Sequence, residues 1–321
     1  MKAITHDRFG GPDVLTLSEL PQPTVGERDV LVRVRAASVS YGDYHYLTGT
    51  PLLGRIGFGL RGPRVPVRGT DLAGVVEAVG AQVTGFRPGD EVFGWCKGAF
   101  AEYAMGTEDT LLPKPANASF EQAAAVPSSG MTALQGLDKA KVRAGQRVLI
   151  LGAGGGVGTF AVQIAKARGA WVTGVCSTSK VALVEKLGAD QVIDYTRGDP
   201  LRTDQPYDVI VDLAGSRPVP KLRAALAPAG TLLFAGGEGG GRIVGDLSRS
   251  VPAALRSMFS RQRLLPFVSL PRKPDLASLA ELIEAGKLTP VVGQTYPLAR
   301  TADAFRDLVA RRANGKLVIT G

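Results

Sequence analysis

A run of small residues directly after an apolar segment constrains the fold of this chain more than any other feature. Residues 148–151 are all apolar, as in a strand buried in a parallel sheet. The turn that follows contains Ala153, Gly155, Gly156, Val157 and Gly158, and apolar residues at helical spacing come next. Ala153, Gly155 and Gly158 match an A-x-G-x-x-G spacing, whose small residues let the backbone and the positive end of a helix approach a diphosphate. These five residues are therefore predicted to bind a dinucleotide; the alternative is a glycine turn that only packs against the sheet.

The end of the next candidate strand, residues 171–176, favours NADPH over NADH. An NAD site usually carries Asp or Glu there, to bind the ribose 2′-hydroxyl. Here Cys176 is followed by Ser177, Thr178, Ser179 and Lys180, without an acid. Because hydroxyl and ammonium groups attract a phosphate, Ser177, Thr178 and Lys180 are predicted to bind the 2′-phosphate. The alternative is that Lys180 only begins a solvated helix.

The pattern of the chain changes near Phe120. Before it, short strand candidates at 30–34, 74–79 and 91–93 alternate with turns, which is typical of a barrel-like β domain. After it, strands alternate with helices, as in a doubly wound parallel sheet; the strand candidates are 147–151, 171–176, 191–193, 207–212 and 230–234. Helices at 247–259 and 275–285 and a closing strand at 316–319 are also predicted.

Motifs along nearly the whole chain resemble the zinc-independent medium-chain dehydrogenases/reductases, and among them the quinone oxidoreductase (zeta-crystallin-like) family. The motifs are GDEVFG at 89–94, GAFAEY at 98–103, GGVG at 155–158, GADQVIDY at 188–195 and GKLVI at 315–319. The resemblance implies an α/β fold of two domains. A GroES-like β-barrel catalytic domain would comprise residues 1–123 and 274–321, and an NADP-binding Rossmann domain residues 124–273.

The same resemblance implies further contacts with the cofactor. Tyr195 would lie beside the 2′-phosphate, and the turns at Ala214 and at Gly236 and Gly237 would face the cofactor from the carboxyl edge of the sheet. Thr132 would lie under the nicotinamide, unless it only caps a helix. Lys316 would reach the cofactor or substrate; the alternative is a solvated lysine at the start of a strand.

No metal site is predicted. Where related alcohol dehydrogenases have a zinc-binding His, this chain has Thr70, and where they have a Cys it has Ser40 or Tyr41. A catalytic zinc ion needs three Cys, His or acidic ligands, whereas the two histidines and two cysteines are scattered at His6, His45, Cys96 and Cys176. Without that Lewis acid, the expected reaction is hydride transfer from NADPH to a quinone or an α,β-unsaturated carbonyl compound.

The segment 37–46 resembles the active-site segment of the family. Ser40 stands where the family more often has Asn, and Tyr41, Tyr46 and His45 are candidate proton donors. Nothing in the sequence selects among them, and each ring would equally serve to line or support the pocket. Asp43 is expected to have a structural role.

The formal charge of +9 leaves two other functions open. Seven basic residues and one acid lie between Arg242 and Lys273. This stretch is expected to be a solvated face, but it would also suit an enoyl-thioester reductase that binds an acidic carrier protein, or an NADPH-binding protein that binds RNA. No nucleic-acid-binding module accompanies the charge, so nucleic acid is not an expected partner.

A homodimer is implied by the resemblance. A cytoplasmic protein without membrane contact is expected, because no apolar run reaches the ~20 residues of a membrane span.

Overall fold

A computed structural model describes residues 1–65, 67–236, 241, 243–245, 247–257 and 260–321. The chain forms two compact units. Residues 1–131 and 271–321 form the split unit, and residues 132–270 form the central unit. The sequence-based division places the corresponding boundaries after residues 123 and 273.

The described part of the chain contains the following strands and helices. The strands are β1 (Lys2–Thr5), β2 (Thr16–Glu19), β3 (Asp29–Val39), β4 (Asp71–Val79), β5 (Glu91–Trp95), β6 (Tyr103–Thr107), β7 (Leu111–Pro113), β8 (Arg147–Leu151), β9 (Trp171–Cys176), β10 (Gln191–Asp194), β11 (Tyr207–Asp212), β12 (Leu226–Phe234), β13 (Arg263–Pro266), β14 (Val292–Pro297) and β15 (Lys316–Thr320). The helices are α1 (Tyr41–Thr48), α2 (Arg55–Phe58), α3 (Phe120–Ala124), α4 (Pro127–Lys139), α5 (Gly156–Ala167), α6 (Val181–Lys186), α7 (Val219–Ala224), α8 (Leu247–Ser257), α9 (Lys273–Glu284) and α10 (Thr301–Val309).

The central unit is a doubly wound parallel sheet. Its six strands lie in the order β10-β9-β8-β11-β12-β13, and every neighbouring pair is parallel. Numbered from its first strand, this is the 3-2-1-4-5-6 order of a Rossmann fold. The order reverses between β8 and β11, which pair with Leu151 opposite Asp212. Ligands of such sheets bind outside the carboxyl ends of the strands at this switch point.

The split unit is built around the long strand β3. One edge of β3 pairs antiparallel with β4. Its other edge pairs with β6 over Asp29–Arg33 and with β15 over Ala36–Val39. Alternate residues of β3, such as Val30, Val32 and Val34, enter one buried apolar cluster, because side chains of a strand point to opposite faces in turn. The strand predicted near the end of the chain, β15, therefore joins the sheet that the N-terminal residues form.

Most predicted elements are confirmed, with small changes at their ends. The strands predicted at 147–151, 171–176 and 207–212 have the observed bounds. The strand predicted at 30–34 extends to Val39, and the helix predicted from Lys180 begins with a 3-10 turn at Thr178–Lys180 before α6. The last two residues of the predicted helix 247–259 lie outside the described residues. Over the described part of the chain, no helix combines the length and apolar character needed to cross a membrane.

Candidate functional site

The glycine turn after β8 has the geometry of a diphosphate site. Gly152 has a φ of +87°, and the backbone N–H groups of Gly152 and Ala153 both donate to the Val175 carbonyl. A Cβ atom on Gly158 would lie 2.1 Å from the Gly152 carbonyl oxygen, so only glycine allows this close approach between helix and turn. The chain is thus folded back tightly under the first turn of α5.

The start of α5 presents backbone N–H groups. Gly155 is the N-cap residue, and no side chain caps the helix there. The first N–H groups of an α-helix have no intrahelical acceptor and carry the positive end of the helix dipole. The backbone around Gly156, Val157 and Gly158 therefore has the free donors that a diphosphate needs; its binding there stays a prediction.

Lys180 lies against this turn. A Cβ atom on Gly154 would be 2.8 Å from both Cβ and Cδ of Lys180, so the aliphatic part of the lysine packs on the glycine. Burial and the Asp194 carboxylate raise the pKa of Cys176 to about 11, while the Lys180 ammonium group opposes the shift. The Lys180 charge is therefore close to the end of β9. Ser177 is half-buried beside it.

The structure corrects the role predicted for Thr178. Its hydroxyl donates to Asp194 Oδ2 at 2.6 Å, so its proton is already used within the protein. This bond is the main cause that lowers the pKa of Asp194, and bonds from Thr196 also contribute. The acid at this edge, Asp194, lies on β10 and not on β9, where an NAD-binding acid is expected. The signal was available: neighbouring parallel strands in register place Asp194 opposite Cys176.

Tyr195 and Ala214 lie at the carboxyl edge of the central sheet. The Tyr195 N–H donates to the Cys176 carbonyl at 3.1 Å, and its side chain is exposed. The Ala214 nitrogen would be 3.7 Å from a Cβ atom on Gly152. Both residues lie at the carboxyl edge where the sequence predicts the cofactor; their contacts with it stay predictions.

Gly236 follows β12 at the same edge. A Cβ atom on Gly236 would lie 2.3 Å from the Leu213 carbonyl oxygen, so this turn packs closely on the turn after β11. Gly237, predicted to bind the cofactor with Gly236, lies outside the described residues.

A buried ion pair at this edge was missed in the sequence. Asp212, the last residue of β11, is almost fully buried and accepts a hydrogen bond from the Gly215 N–H. Arg249 of α8 donates to the Asp212 carboxylate and to the Gly215 carbonyl. It thereby fixes the turn that contains Ala214. A sequence gives no sign of this pair, because the partners are 37 residues apart.

In the split unit, Ser40 and Asp43 begin helix α1 with a capping box. The Ser40 hydroxyl accepts from the Asp43 N–H, and the Ser40 N–H donates to Asp43 Oδ2 at 3.0 Å. The Thr70 hydroxyl donates to the other carboxylate oxygen, Oδ1, at 2.9 Å. Asp43 therefore has the structural role that the sequence predicted, and Ser40 is part of the same network.

A pocket of about 390 Å³, its open mouth included, lies next to this network. Asp43, Tyr46, Arg68, Thr70 and Cys96 are among its lining residues. The Tyr46 ring packs on Phe58, with 4.6 Å between ring centroids. The Arg68 guanidinium group also packs on the Tyr46 ring, with its central carbon 4.0 Å from the ring centroid. Of the predicted proton donors, the structure places Tyr46 in this pocket.

The structure corrects two other predicted site residues. The Tyr41 hydroxyl donates to the Leu308 carbonyl at 3.2 Å, so it is directed toward α10. Lys316 is only 3% exposed, and its ammonium group donates to the Val39 carbonyl at 3.0 Å. The Lys316 side chain therefore extends to β3 inside the split unit and not toward a cofactor or solvent. Thr132 is half-buried in the middle of α4 and does not cap that helix.

Asp71 lies near Lys316 in the interior. It is fully buried and accepts hydrogen bonds from the Ser128 hydroxyl at 2.6 Å, the Ser128 N–H at 3.0 Å and the Ser38 hydroxyl at 3.3 Å. Burial raises the pKa of Asp71 to about 6, against the opposing effect of the Lys316 charge. Burial also lowers the pKa of Lys316. These residues tie β3, β4, α4 and β15 together.

The residues at the former zinc position do not fit a zinc ion. The Thr70 hydroxyl donates a hydrogen bond to Asp43 Oδ1, and the other Asp43 oxygen, Oδ2, accepts one from the Ser40 N–H. Burial strongly raises the pKa of the Cys96 thiol, whereas zinc binds a thiolate. In the part of the chain that the structure describes, no three His, Cys, Asp or Glu residues come together as a metal site.

Comparisons with known proteins agree with this architecture. Residues 26–116 match the alcohol dehydrogenase GroES-like domain, and residues 187–319 match the zinc-binding dehydrogenase family. A mitochondrial NAD(P)H oxidoreductase of Homo sapiens is 33% identical, over 99% of this chain and 89% of its own length. The chain belongs to the quinone oxidoreductases of the medium-chain dehydrogenase/reductase superfamily.

Two other relatives of this quinone oxidoreductase indicate the range of the family. A chloroplastic NADPH-dependent alkenal/one oxidoreductase of Arabidopsis thaliana is 34% identical, over 99% of this chain and 79% of its own length. The crystal structure of Escherichia coli quinone oxidoreductase in complex with NADPH superposes with a TM-score of 0.85 and 26% identity, and the match covers 100% of both chains. The predicted fold, a GroES-like domain with a Rossmann domain, is confirmed.

Proposed function

We propose that this protein is an NADPH-dependent reductase of quinones and α,β-unsaturated carbonyl compounds that works without a metal. The observation that carries the proposal is the position of Lys180, which packs on Gly154 of the glycine turn at the end of β9. A lysine there attracts the 2′-phosphate that distinguishes NADPH from NADH. The relatives named for NADPH and for alkenals, enones or quinones support the same function.

The chain supplies binding and orientation for this reaction. When bound, NADPH supplies a hydride, which an enone takes at its β-carbon and a quinone at its conjugated ring system. Negative charge then grows on the carbonyl oxygen of the acceptor, and fixed hydrogen-bond donors stabilise it. Tyr46, Arg68 and Lys97 are donors that line the pocket of the split unit. The capping box of Ser40 and Asp43 fixes the start of α1, and so the position of Tyr46 one turn later.

Cofactor preference and acceptor range test this function. Ligand binding raises the melting temperature in proportion to the logarithm of ligand concentration over Kd, so NADPH should raise Tm more than NADH at equal concentration. Turnover is then compared on a 1,4-quinone, but-3-en-2-one and a crotonyl thioester. We expect the quinone and the enone to be reduced fastest. A larger shift with NADH would contradict the cofactor, and a preference for the thioester would favour an enoyl-thioester reductase.

The two alternative functions depended on the basic stretch from 242 to 273. Among the described residues of this stretch, Arg249 pairs with Asp212, Arg272 lies 3.8 Å from the Asp275 carboxylate, and Lys273 donates to the Glu108 carbonyl at 2.6 Å. These contacts use part of the charge that an acidic carrier protein or RNA would need. We expect added RNA to leave the NADPH oxidation rate unchanged, and a binding assay with RNA to show no salt-sensitive shift.

A homodimer and a cytoplasmic location are also proposed. β13 is the outer strand of the central sheet, and Val268 and Leu270 just after it are 74% and 66% exposed; an open sheet edge of this kind favours pairing with another chain. Light scattering on the purified protein tests the dimer.

Cys96 and Cys176 are free and buried, as in a reducing compartment. Some relatives are mitochondrial or chloroplastic, so fractionation of the source cells is the test of location.

A further inference from the structure

A buried cation, Arg68, lines the pocket of the split unit. Arg68 is only 6% exposed. Its Nη2 donates to two neutral carbonyls, those of Val65 and Val67, at 3.1 and 3.3 Å. Its Nε has no hydrogen-bond partner among the described residues. The protein therefore solvates this guanidinium only partly.

The groups around Arg68 compensate its charge only in part: its guanidinium packs on the Tyr46 ring, and the Asp43 carboxylate is nearby. Burial lowers the pKa of Arg68, and the Asp43 carboxylate and Tyr46 only partly oppose that effect. Over the described ranges of the chain, no carboxylate oxygen lies within ion-pair distance of Arg68. Asp43 is the acid of the pocket, but its two oxygens already accept hydrogen bonds from Ser40 and Thr70. Lys97, which is exposed, adds a second positive charge to the lining. Burial, and to a lesser degree the Arg68 charge, lower the pKa of the neighbouring buried His6, which favours its neutral form.

A buried charge is stable when an opposite charge or several hydrogen bonds compensate it. An arginine fork also matches the geometry of a carboxylate, which it binds through two parallel hydrogen bonds. We propose that Arg68 forms an anion subsite in the acceptor pocket, and that the preferred acceptors carry a carboxylate next to the reducible double bond. This inference rests on the proposed function, because it names the substrate class of the same pocket.

The smallest acceptor of this class is (E)-4-oxopent-2-enoate. Its reduction balances as follows: a hydride from NADPH forms the new C–H bond at the carbon β to the ketone, the C=C π bond breaks, and a proton from water adds at the α-carbon. NADPH is oxidised to NADP⁺ and the product is 4-oxopentanoate. The methyl ester of the same acceptor has the same reacting atoms without the charge, so the pair isolates the effect of the carboxylate.

The test is the ratio of kcat/KM for the acid to kcat/KM for the ester. Hydrogen bonds to charged groups contribute about 1.5–3 kcal/mol, which corresponds to a ratio lowered about tenfold to a hundredfold in Arg68→Met. Arg68→Lys keeps the charge but loses the planar guanidinium group, so its ratio should lie between those of the wild-type protein and Arg68→Met. Arg64→Met, which removes an exposed charge from the same segment, is the matched control and should keep the wild-type ratio.

A second measurement does not depend on turnover. Calorimetric titration of NADP⁺-saturated protein with 4-oxopentanoate should show binding to wild-type protein and to Arg64→Met, and weaker binding to Arg68→Met. Melting temperatures of all variants show whether they are folded; an unfolded Arg68→Met leaves the decision to Arg68→Lys. A wild-type preference for the ester, or a ratio that is the same in every folded variant, would overturn the anion subsite while the reductase function stands. Absence of turnover on both acceptors and on quinones, with 4-oxopentanoate still bound at Arg68, would instead contradict the reductase function.

Discussion

The Thr70 hydroxyl donates to Asp43 Oδ1 at 2.9 Å, and this bond joins the loop before β4 to the first turn of α1. Related zinc enzymes are expected to have a metal-binding His at the position of Thr70. In this chain the same position instead secures the carboxylate that caps the helix carrying Tyr46.

Thr70→Val should therefore destabilise the protein. The substitution keeps the shape but leaves Asp43 Oδ1, which is buried, without its donor, and an unsatisfied buried polar group costs about 1–3 kcal/mol. Urea unfolding measures the loss. The same change at Thr16, an exposed residue of β2, should have an effect within about 0.5 kcal/mol; equal losses at both positions would argue against the network.

Lys180→Met should reduce affinity for NADPH and leave affinity for NADH nearly unchanged. A charge-assisted hydrogen bond to a phosphate contributes about 1.5–3 kcal/mol, so Kd for NADPH should rise about tenfold or more. Titration of both cofactors, followed by fluorescence, gives the two values. Lys186→Met, at an exposed position of α6, is the control. A parallel loss of NADH affinity would show that Lys180 supports the turn itself and not the 2′-phosphate.

Gly158→Ala should abolish binding of both cofactors. Its new Cβ would lie 2.1 Å from the Gly152 carbonyl oxygen, so the helix must move away from the turn, at a cost of about 1–3 kcal/mol in stability. Calorimetry and thermal unfolding report the two effects. Gly198→Ala places its Cβ in open space and should bind NADPH normally. Tight binding by Gly158→Ala would exclude the close approach described above.

Arg249→Met should be among the most destabilising single changes in the central unit. It leaves the buried Asp212 carboxylate without its cation, and breaking a buried pair in this way costs about 3–5 kcal/mol. Arg217→Met breaks the more exposed pair with Asp199 and should cost less than about 1 kcal/mol. Urea unfolding distinguishes the two; similar small losses would mean that the Asp212 pair is not buried in solution.

The pKa of Asp71 predicts a pH effect on stability. The pKa is raised to about 6 in the folded protein, from an ordinary value of 3.8. Below the ordinary value the group is protonated in both states, and its contribution to stability is complete. As the pH rises from about 4 to 6, ionisation favours the unfolded chain, so this contribution is lost.

Asp71→Asn should remove that dependence. The free energy of unfolding of wild-type protein, relative to Asp71→Asn, should fall between about pH 4 and 6 and then stay constant. Denaturant unfolding across this range provides the difference. Asp109→Asn, at an exposed position, should show no such fall, and a difference that rises with pH would reverse the assigned direction of the Asp71 pKa shift.

The sequence by itself determined the Rossmann unit and its diphosphate turn. Apolar runs, glycines and helical periodicity lie within about 20 consecutive residues there, so local conformational preferences and burial fix them together. The tight turn at Gly155 and Gly158 follows from these local features, whereas the cofactor contacts of Gly155, Gly158 and Lys180 stay predictions.

Only the tertiary structure decided which polar groups are partners. Strand order places Asp194 beside Thr178 and takes that hydroxyl away from the predicted phosphate site. Thr70 reaches Asp43 across 27 residues, and Lys316 reaches Val39 across 277. A buried polar group must find a partner wherever the fold brings one within about 3 Å. That proximity depends on register and packing between distant elements, which no local pattern of residues encodes.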